Sequence, residues 1–156
     1  MDYRRAGLAD VPLITAYRKQ QLIDEGSSPD VDIDKALLDY HAGAIANGSL
    51  VEWLVVDDGE VVATGAVIFQ QHPPSYSNPA GRVAYVTNMY TRPDHRRQGL
   101  ATSLLSKLMD ECRARDCRVV WLRGSHDGLP VYAKFGFVPL SNAMVMKLSQ
   151  ESHSVP

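Results

Sequence analysis

Residues 91–105 read T-R-P-D-H-R-R-Q-G-L-A-T-S-L-L, with three arginines and a histidine directly before a glycine and an apolar-periodic run. Positive charge at the mouth of a helix suits the holding of an anion. The first backbone N–H groups of a helix have no internal partners, and the aligned peptide dipoles make that end partly positive. Arg96 and Arg97 add full charge there, Gly99 lets a ligand approach the main chain, and Ala101 keeps the next turn open. Two or more phosphate groups fit such a site, whereas Arg92, on the strand side of Pro93, reads as surface. The chain as a whole carries 16 basic against 18 acidic residues, a net charge of −2. The cluster is therefore local, and the general basic excess of a nucleic-acid binder is missing.

Several other chemistries are excluded by inspection. There is no G-x-x-x-x-G-K-[ST] and no G-x-G-x-x-G, so neither a nucleotide P-loop nor a dinucleotide fold is supported. The histidines at 41, 72, 95, 126 and 153 are scattered, and Cys112 and Cys117 lie five apart, without zinc spacing. No metal site and two reduced thiols are expected. Ser125-His126-Asp127 is not a hydrolase triad, because three adjacent loop residues cannot form the relay and G-x-S-x-G is absent; a turn before a short helix is the simpler reading. The N-terminal M-D-Y-R-R-A lacks the apolar core of a signal peptide, and no apolar run approaches the ~20 residues that span a bilayer. A cytoplasmic protein without membrane contact is expected.

At 156 residues, 45% hydrophobic and 22% charged, the chain has the profile of one globular domain. Residues 2–6 can form a strand, and Asp10 with Pro12 starts a helix that ends at Gly26. A second helix runs from about 32 to 47 on the repeat Ile33, Leu37, Tyr40, Ala44. Strands at 50–56 and 61–70 flank a turn at Asp57-Asp58-Gly59-Glu60. Residues 71–81 hold three prolines and read as a loop: a substrate lid, a dimer contact, or plain surface. A strand follows at 82–91, then a helix whose apolar residues at 101, 104, 105, 108, 109 and 112 repeat on one face. A strand at 117–122, a helix at 129–135 and a closing pair of strands within 137–148 complete the order, and 149–156 reads as a disordered tail. Strand, basic loop, helix, strand is a βαβ crossover, so strands 82–91 and 117–122 should be parallel neighbours in a mixed sheet with helices on both faces. Trp53 and Trp121 read as core.

Arg96-Arg97-Gln98-Gly99-Leu100-Ala101 fits the pattern [QR]-x-x-G-x-[GA]. It follows a strand ending in Thr91-Arg92-Pro93, opens the amphipathic helix, and precedes by about thirty residues the segment V-Y-A-K-F-G-F at 131–137. In these features the chain resembles the GNAT superfamily of acyl-CoA-dependent N-acetyltransferases, closely over residues 50–148 and by order of elements over 1–49. The resemblance implies an α/β (α+β) single-domain GNAT-like fold over residues 1–148, with a mixed twisted sheet of six to seven strands and about four helices. It implies that Arg96, Arg97, Gln98, Gly99, Leu100, Ala101 and Thr102 hold the pyrophosphate of acetyl-CoA as co-substrate. Met89, Tyr90 and Thr91 would line the pantetheine arm, in a splay beside the strand at 118–122, and Tyr132 would be the general acid for the departing thiolate. A phenol near ~10 stays protonated at neutral pH and can serve a sulfur developing charge. Where the family tends to carry Asn and Ala, this chain has Ser125, still able to hydrogen-bond the arm, and Gly128.

The acceptor, a primary amine of a small molecule or peptide, has a pKa near ~10.4 and must lose a proton before it attacks. The strand at 82–91 has no Glu or Asp where many relatives place one. Glu25, Glu52, His72, His126 and a water chain ending on a backbone carbonyl are the candidates. An N-acetyltransferase without a covalent enzyme intermediate, with no nucleic-acid partner and with a homodimer as one assembly, is the leading reading. A non-catalytic acyl-CoA-binding sensor of the same fold is its rival.

Overall fold

Along residues 50–55 every side chain is wholly or partly buried, with Leu50 packed toward one helix layer and Trp53 and Val55 toward another. A strand apolar on both faces needs a cover on both faces. The computed structural model, which describes residues 1–149, supplies it with helices. The elements are β1 (Asp2–Arg5), α1 (Val11–Asp24), α2 (Asp34–Asn47), β2 (Leu50–Asp57), β3 (Glu60–Gln71), β4 (Arg82–Thr91), α3 (Leu100–Ala114), β5 (Val119–Leu122) and α4 (Leu129–Phe135). The strands form one sheet in the order β1-β2-β3-β4-β5, antiparallel throughout except for the parallel pair β4 and β5. Asp58 and Gly59 close the β2–β3 hairpin with positive φ angles of 48° and 81°, the conformation a tight two-residue turn demands.

On one face, α3 inserts Leu104, Leu105 and Leu108, all fully buried, against Val67, Ala84, Val86, Val55 and Ala63. On the other, Ala44 of α2 packs on Leu50 and Ala66, while Tyr17 of α1 sets its ring 4.9 Å from that of Tyr90 on β4. Helix α3, strand β4, helix α4 and the parallel crossover stand where the periodicity puts them. Three expectations are corrected. The sheet has five strands among the described residues, because residues 137–148 form no closing strands; a strand needs a neighbour, and this segment has none in its own chain. Asp10 accepts from the Gly7 N–H (2.8 Å) and pairs with Arg4, so it closes the short turn at Leu8–Asp10 rather than capping α1. Trp53 and Trp121 are only half-buried: Trp53 donates its indole N–H to Glu111 (2.9 Å), and Trp121 lies against Tyr85 at 4.5 Å. Residues 150–156, most of the expected tail, lie outside the described residues.

One irregularity shapes the centre of the sheet. Thr64 pairs with Tyr90 and Ala66 with Thr87, so Gly65 alone stands opposite both Asn88 and Met89, a β-bulge in β4. A Cβ on Gly65 would lie 2.6 Å from the Met89 sulfur, so only glycine leaves room for that side chain. Asn88 takes φ +53°, which asparagine tolerates better than most residues. A buried network holds it there. The Thr64 hydroxyl donates to the Asn88 carbonyl (2.8 Å), and Asn88 Nδ2 donates to Glu52 Oε2 (3.1 Å) and to His41 Nε2 (3.1 Å). With Nε2 accepting, His41 carries its proton on Nδ1 and donates it to Thr15 Oγ1 (2.9 Å). Burial lowers the His41 pKa, in keeping with a neutral ring.

Glu52 is 1% exposed, and its Oε1 has no hydrogen-bond partner. Burial pushes its carboxyl from 4.5 up to about 7, against the pull of the Asn88 amide. The folded protein thus holds a proton that the unfolded chain releases near 4.5, and this contribution to stability is complete below that pH and is lost as pH rises through about 7. Glu52→Gln removes the titration. Urea unfolding at pH 5 and pH 8 should show the variant losing less stability than the parent over that interval, by on the order of 3 kcal/mol. An identical loss in both would show that Glu52 is ionised in the fold throughout. In the opposite layer, Leu105→Ala should cost about 3 kcal/mol by the same measurement, as truncation of a fully buried leucine does.

Candidate functional site

Strands β4 and β5 pair only from Val83 with Val119 to Val86 with Leu122. There β5 ends, while β4 continues five residues further through the bulge to Thr91. A cleft of about 800 Å³ opens between them, at the carboxyl ends of the two parallel strands. Open α/β sheets bind their ligands at that end. A smaller hollow of about 560 Å³, lined by Phe69, Arg82 and Arg115 among others, sits at the opposite end of β4 and shares no residue with the cleft.

Met89, Tyr90 and Thr91 form one wall of the cleft, and the start of α3 closes one end of it. The backbone turns sharply into that helix, with φ +60° at Arg97 and +78° at Gly99. The first helical hydrogen bond runs from the Ser103 N–H to the Gly99 carbonyl (3.1 Å), so the N–H groups of Leu100, Ala101 and Thr102 have no carbonyl to meet within the helix. Leu100 is buried and roots the turn, while a Cβ on Gly99 would meet nothing within 4 Å. The place is an open, positively polarised cradle.

Its cations are divided. Arg97 lines the cleft and makes no ion pair among the described residues. Arg96 also lines it but is engaged, with Nε donating to the Thr91 carbonyl (3.0 Å) and Nη2 reaching Asp24 (3.2 Å). It ties the end of α1 to the end of β4. Gln98 is exposed and lies outside the lining, and Arg92 pairs with Glu60 and Asp94 on the surface. His95 lies between Asp94 (2.9 Å) and Asp57 (3.2 Å), and these carboxylates, Asp94 first, raise its pKa.

Across the cleft stand Ser125 and Tyr132. The Ser125 hydroxyl accepts the Gly128 N–H (3.1 Å) and so shapes the turn into α4. Tyr132 packs its ring edge-on against Phe137, 6.1 Å away. Gly124 and Gly128 make room for it: a Cβ on either would come within 3.2 Å of the ring. Burial, then the charge of Glu25 and then Tyr85, pushes the phenol up to about 12, so it remains protonated at any working pH.

Of the residues considered for deprotonating an acceptor, Glu25 and His126 line the cleft. Glu52 does not; it is enclosed in the network beneath the bulge. His72 lies outside the lining too, its amide bonded to the Gly81 carbonyl in the β3–β4 loop. Gln21 and Asp24 line the cleft without having been singled out from the sequence, and His95, noted there only as part of the basic cluster, lines it too. The spacing 21, 24, 25 marks one face of the last turn of α1 and was the available signal. Among the described residues no group of three or more His, Cys, Asp or Glu is placed to hold a metal ion, and no helix is long and apolar enough to cross a membrane. Cys112 and Cys117 are buried free thiols, and burial pushes Cys112 up to about 11.

Comparison with known proteins agrees with this geometry. A family model described as the acetyltransferase (GNAT) family matches residues 14–137. A protein of Clostridium acetobutylicum, described as a predicted acetyltransferase and crystallised with acetyl-CoA, is 41% identical, with a TM-score of 0.93 over 97% of this chain and 99% of that one. A GCN5-related N-acetyltransferase of Ralstonia eutropha JMP134 superposes with a TM-score of 0.88 at 23% identity, over 94% and 97% of the two chains. The glucosamine-6-phosphate N-acetyltransferase of Arabidopsis thaliana shares the fold at 18% identity, with a TM-score of 0.70 over 95% and 98%. Curated protein sequences give no match. With more than half of its length matched by the family model, the chain belongs to the GNAT family of acetyltransferases.

Proposed function

We propose that the protein transfers an acetyl group from acetyl-CoA directly to a primary amine of a small molecule or peptide. The observation that carries this reading is the cleft itself. One end offers helix N–H groups and, in Arg97, an arginine without an ion pair among the described residues to a diphosphate, its wall is the edge of β4 that β5 leaves unpaired, and a protonated phenol faces the cleft too. The N–H groups of Leu100, Ala101 and Thr102, with Arg97, would hold the pyrophosphate. Met89 to Thr91 would orient the arm with main-chain groups that β5 leaves free.

The amine lone pair attacks the acetyl carbon, the C–S bond breaks, and its electron pair leaves on sulfur. Tyr132 meets that developing charge. A phenol near 12 is a weaker acid than an alkyl thiol near ~8.5, so full transfer to a free thiolate is uphill. Its work is to donate a hydrogen bond as charge builds, and the proton released by the amine finally makes up the thiol. Of the candidates for receiving that proton, Glu25 and His126 line the cleft. Asp24, Glu25 and Asp127 add carboxylates to the lining, which suits a cationic acceptor.

Tyr132→Phe should lower kcat by roughly 10²-fold with little change in affinity for acetyl-CoA, measured by steady-state thiol release. Normal turnover would remove Tyr132 from the chemistry. Gly99→Glu places a carboxylate in the cradle and should abolish the thermal stabilisation that CoA gives the parent; an unchanged shift would put the cofactor elsewhere. Thiol release screened against polyamines, aminoglycosides, amino acids and peptides separates enzyme from sensor. Strong stabilisation by acetyl-CoA with no turnover on any amine would favour the sensor.

A further inference from the structure

Between strand β4 and the cradle the chain makes one tight helical turn, Pro93–His95, and the sharp bends at Arg97 and Gly99 follow directly from it. Side chains of the β2–β3 hairpin brace that turn from outside. Arg92 donates to Glu60 (2.8 Å) and to Asp94 (3.0 Å), while the two ring nitrogens of His95 lie on Asp94 (2.9 Å) and on Asp57 (3.2 Å). Asp57 and Glu60 pair with each other across the Asp58-Gly59 turn, so these side chains form one belt from the hairpin to the entrance of the cradle.

His95 is the joint in this belt. A carboxylate only accepts, so a ring nitrogen that faces one must carry a hydrogen, and carboxylates at both nitrogens are satisfied together only by the doubly protonated ring. The His95 side chain lines the cleft and is 18% exposed, yet both of its nitrogens are taken by the protein and neither is left to hold a ligand. Whatever it does for a bound anion is done through the turn and through charge.

The charge around it is one-sided without that proton. Asp57 of β2 and Asp94 of the turn touch the ring, and Glu60 of β3 enters through Arg92. Asp58 is exposed at the tip of the hairpin and makes no ion pair among the described residues. Tyr17 of α1 and Tyr90 of β4, which share Arg92 and Asp94 as neighbours, are phenols that burial pushes up and keeps neutral. Arg96, next in the chain, is drawn away to Asp24 and the Thr91 carbonyl. With the ring protonated, Arg92 and His95 together face Asp57, Glu60 and Asp94; with it neutral, Arg92 faces all of them alone and one ring bond is lost. Both changes act against a diphosphate in the cradle beside them.

We infer that His95 is a positioning residue for the acetyl donor, clamping the entrance of the cradle to the β2–β3 hairpin through Asp57 and Asp94 and tuning donor affinity by its protonation. The inference rests on the cradle's holding the pyrophosphate, as proposed above. The carboxylates, Asp94 first, raise the pKa of the ring, so the clamp is closed below the ordinary value of 6.5 and opens as pH rises through the raised one.

Calorimetric titration of CoA into the parent, His95→Arg and His95→Gln at pH 6 and pH 9 tests it. Arginine keeps the charge at both pH values and glutamine has it at neither. The ratio of the parent's affinity to that of His95→Arg should fall from pH 6 to pH 9 by about three- to fivefold, the scale of a partly exposed ion pair. The ratio of His95→Gln to His95→Arg should stay constant, and comparison at equal pH cancels the titration of CoA itself and of Glu52. A parent ratio that does not fall overturns the inference and leaves the donor site in place; so does a glutamine ratio that falls as the parent's does. No CoA binding by any of the three would overturn the donor reading itself, and this inference with it.

Discussion

The departure of β4 from β5 after Val86 is the constraint on which the rest of the site depends. Without it the two strands would pair to their ends, and neither a free main-chain wall nor a cleft would exist. The bulge at Asn88 produces the departure, at a backbone angle that costs roughly 1 kcal/mol for a residue other than glycine. Thr64 anchors the Asn88 carbonyl, and Glu52 and His41 take its two N–H groups, so the strained residue is over-determined from three sides. The last link, His41 to Thr15, runs into α1, the helix whose final turn brings Gln21, Asp24 and Glu25 to the cleft. One buried chain of hydrogen bonds therefore sets both the strand and the helix that line the cleft.

The cleft lining carries both signs of charge. The start of α3 and Arg97 are positive, and Asp24, Glu25 and Asp127 bring carboxylates to the same lining. Arg96 joins them, bonded to Asp24 at the end of α1 and to the Thr91 carbonyl at the end of β4. Both signs suit the proposed reaction, whose donor carries phosphates and whose acceptor arrives as a cation. Tyr132 also lines the cleft, buried enough to keep its proton in place.

Much of this was legible in the sequence wherever the signal was local. The apolar series from 101 to 112 specified α3, Pro130 and Gly136 bracket α4, and the glycine and arginines before Leu100 announced the cradle. What could not be read rested on distant partners. The engagement of Arg96 by Asp24 joins residues 72 apart, and the enclosure of Glu52, a candidate base until its surroundings were seen, needs Asn88 and His41 from two other elements. An asparagine amid V-A-Y-V-T-N-M-Y was a faint sign of the bulge, since it tolerates positive φ in a run of strand formers. The closing strands were read from a pattern that is present, but residues 137–148 pair with no strand among the described residues.

Hydrogen–deuterium exchange with and without acetyl-CoA tests the central claim most directly, because it reports on main-chain amides rather than on side-chain substitutions. The amides of Leu100, Ala101 and Thr102, and those of Met89 to Thr91, should gain protection when acetyl-CoA is added, with no change around Phe69, Arg82 and Arg115. Protection confined to that second hollow, with the start of α3 exchanging as fast as before, would contradict the account.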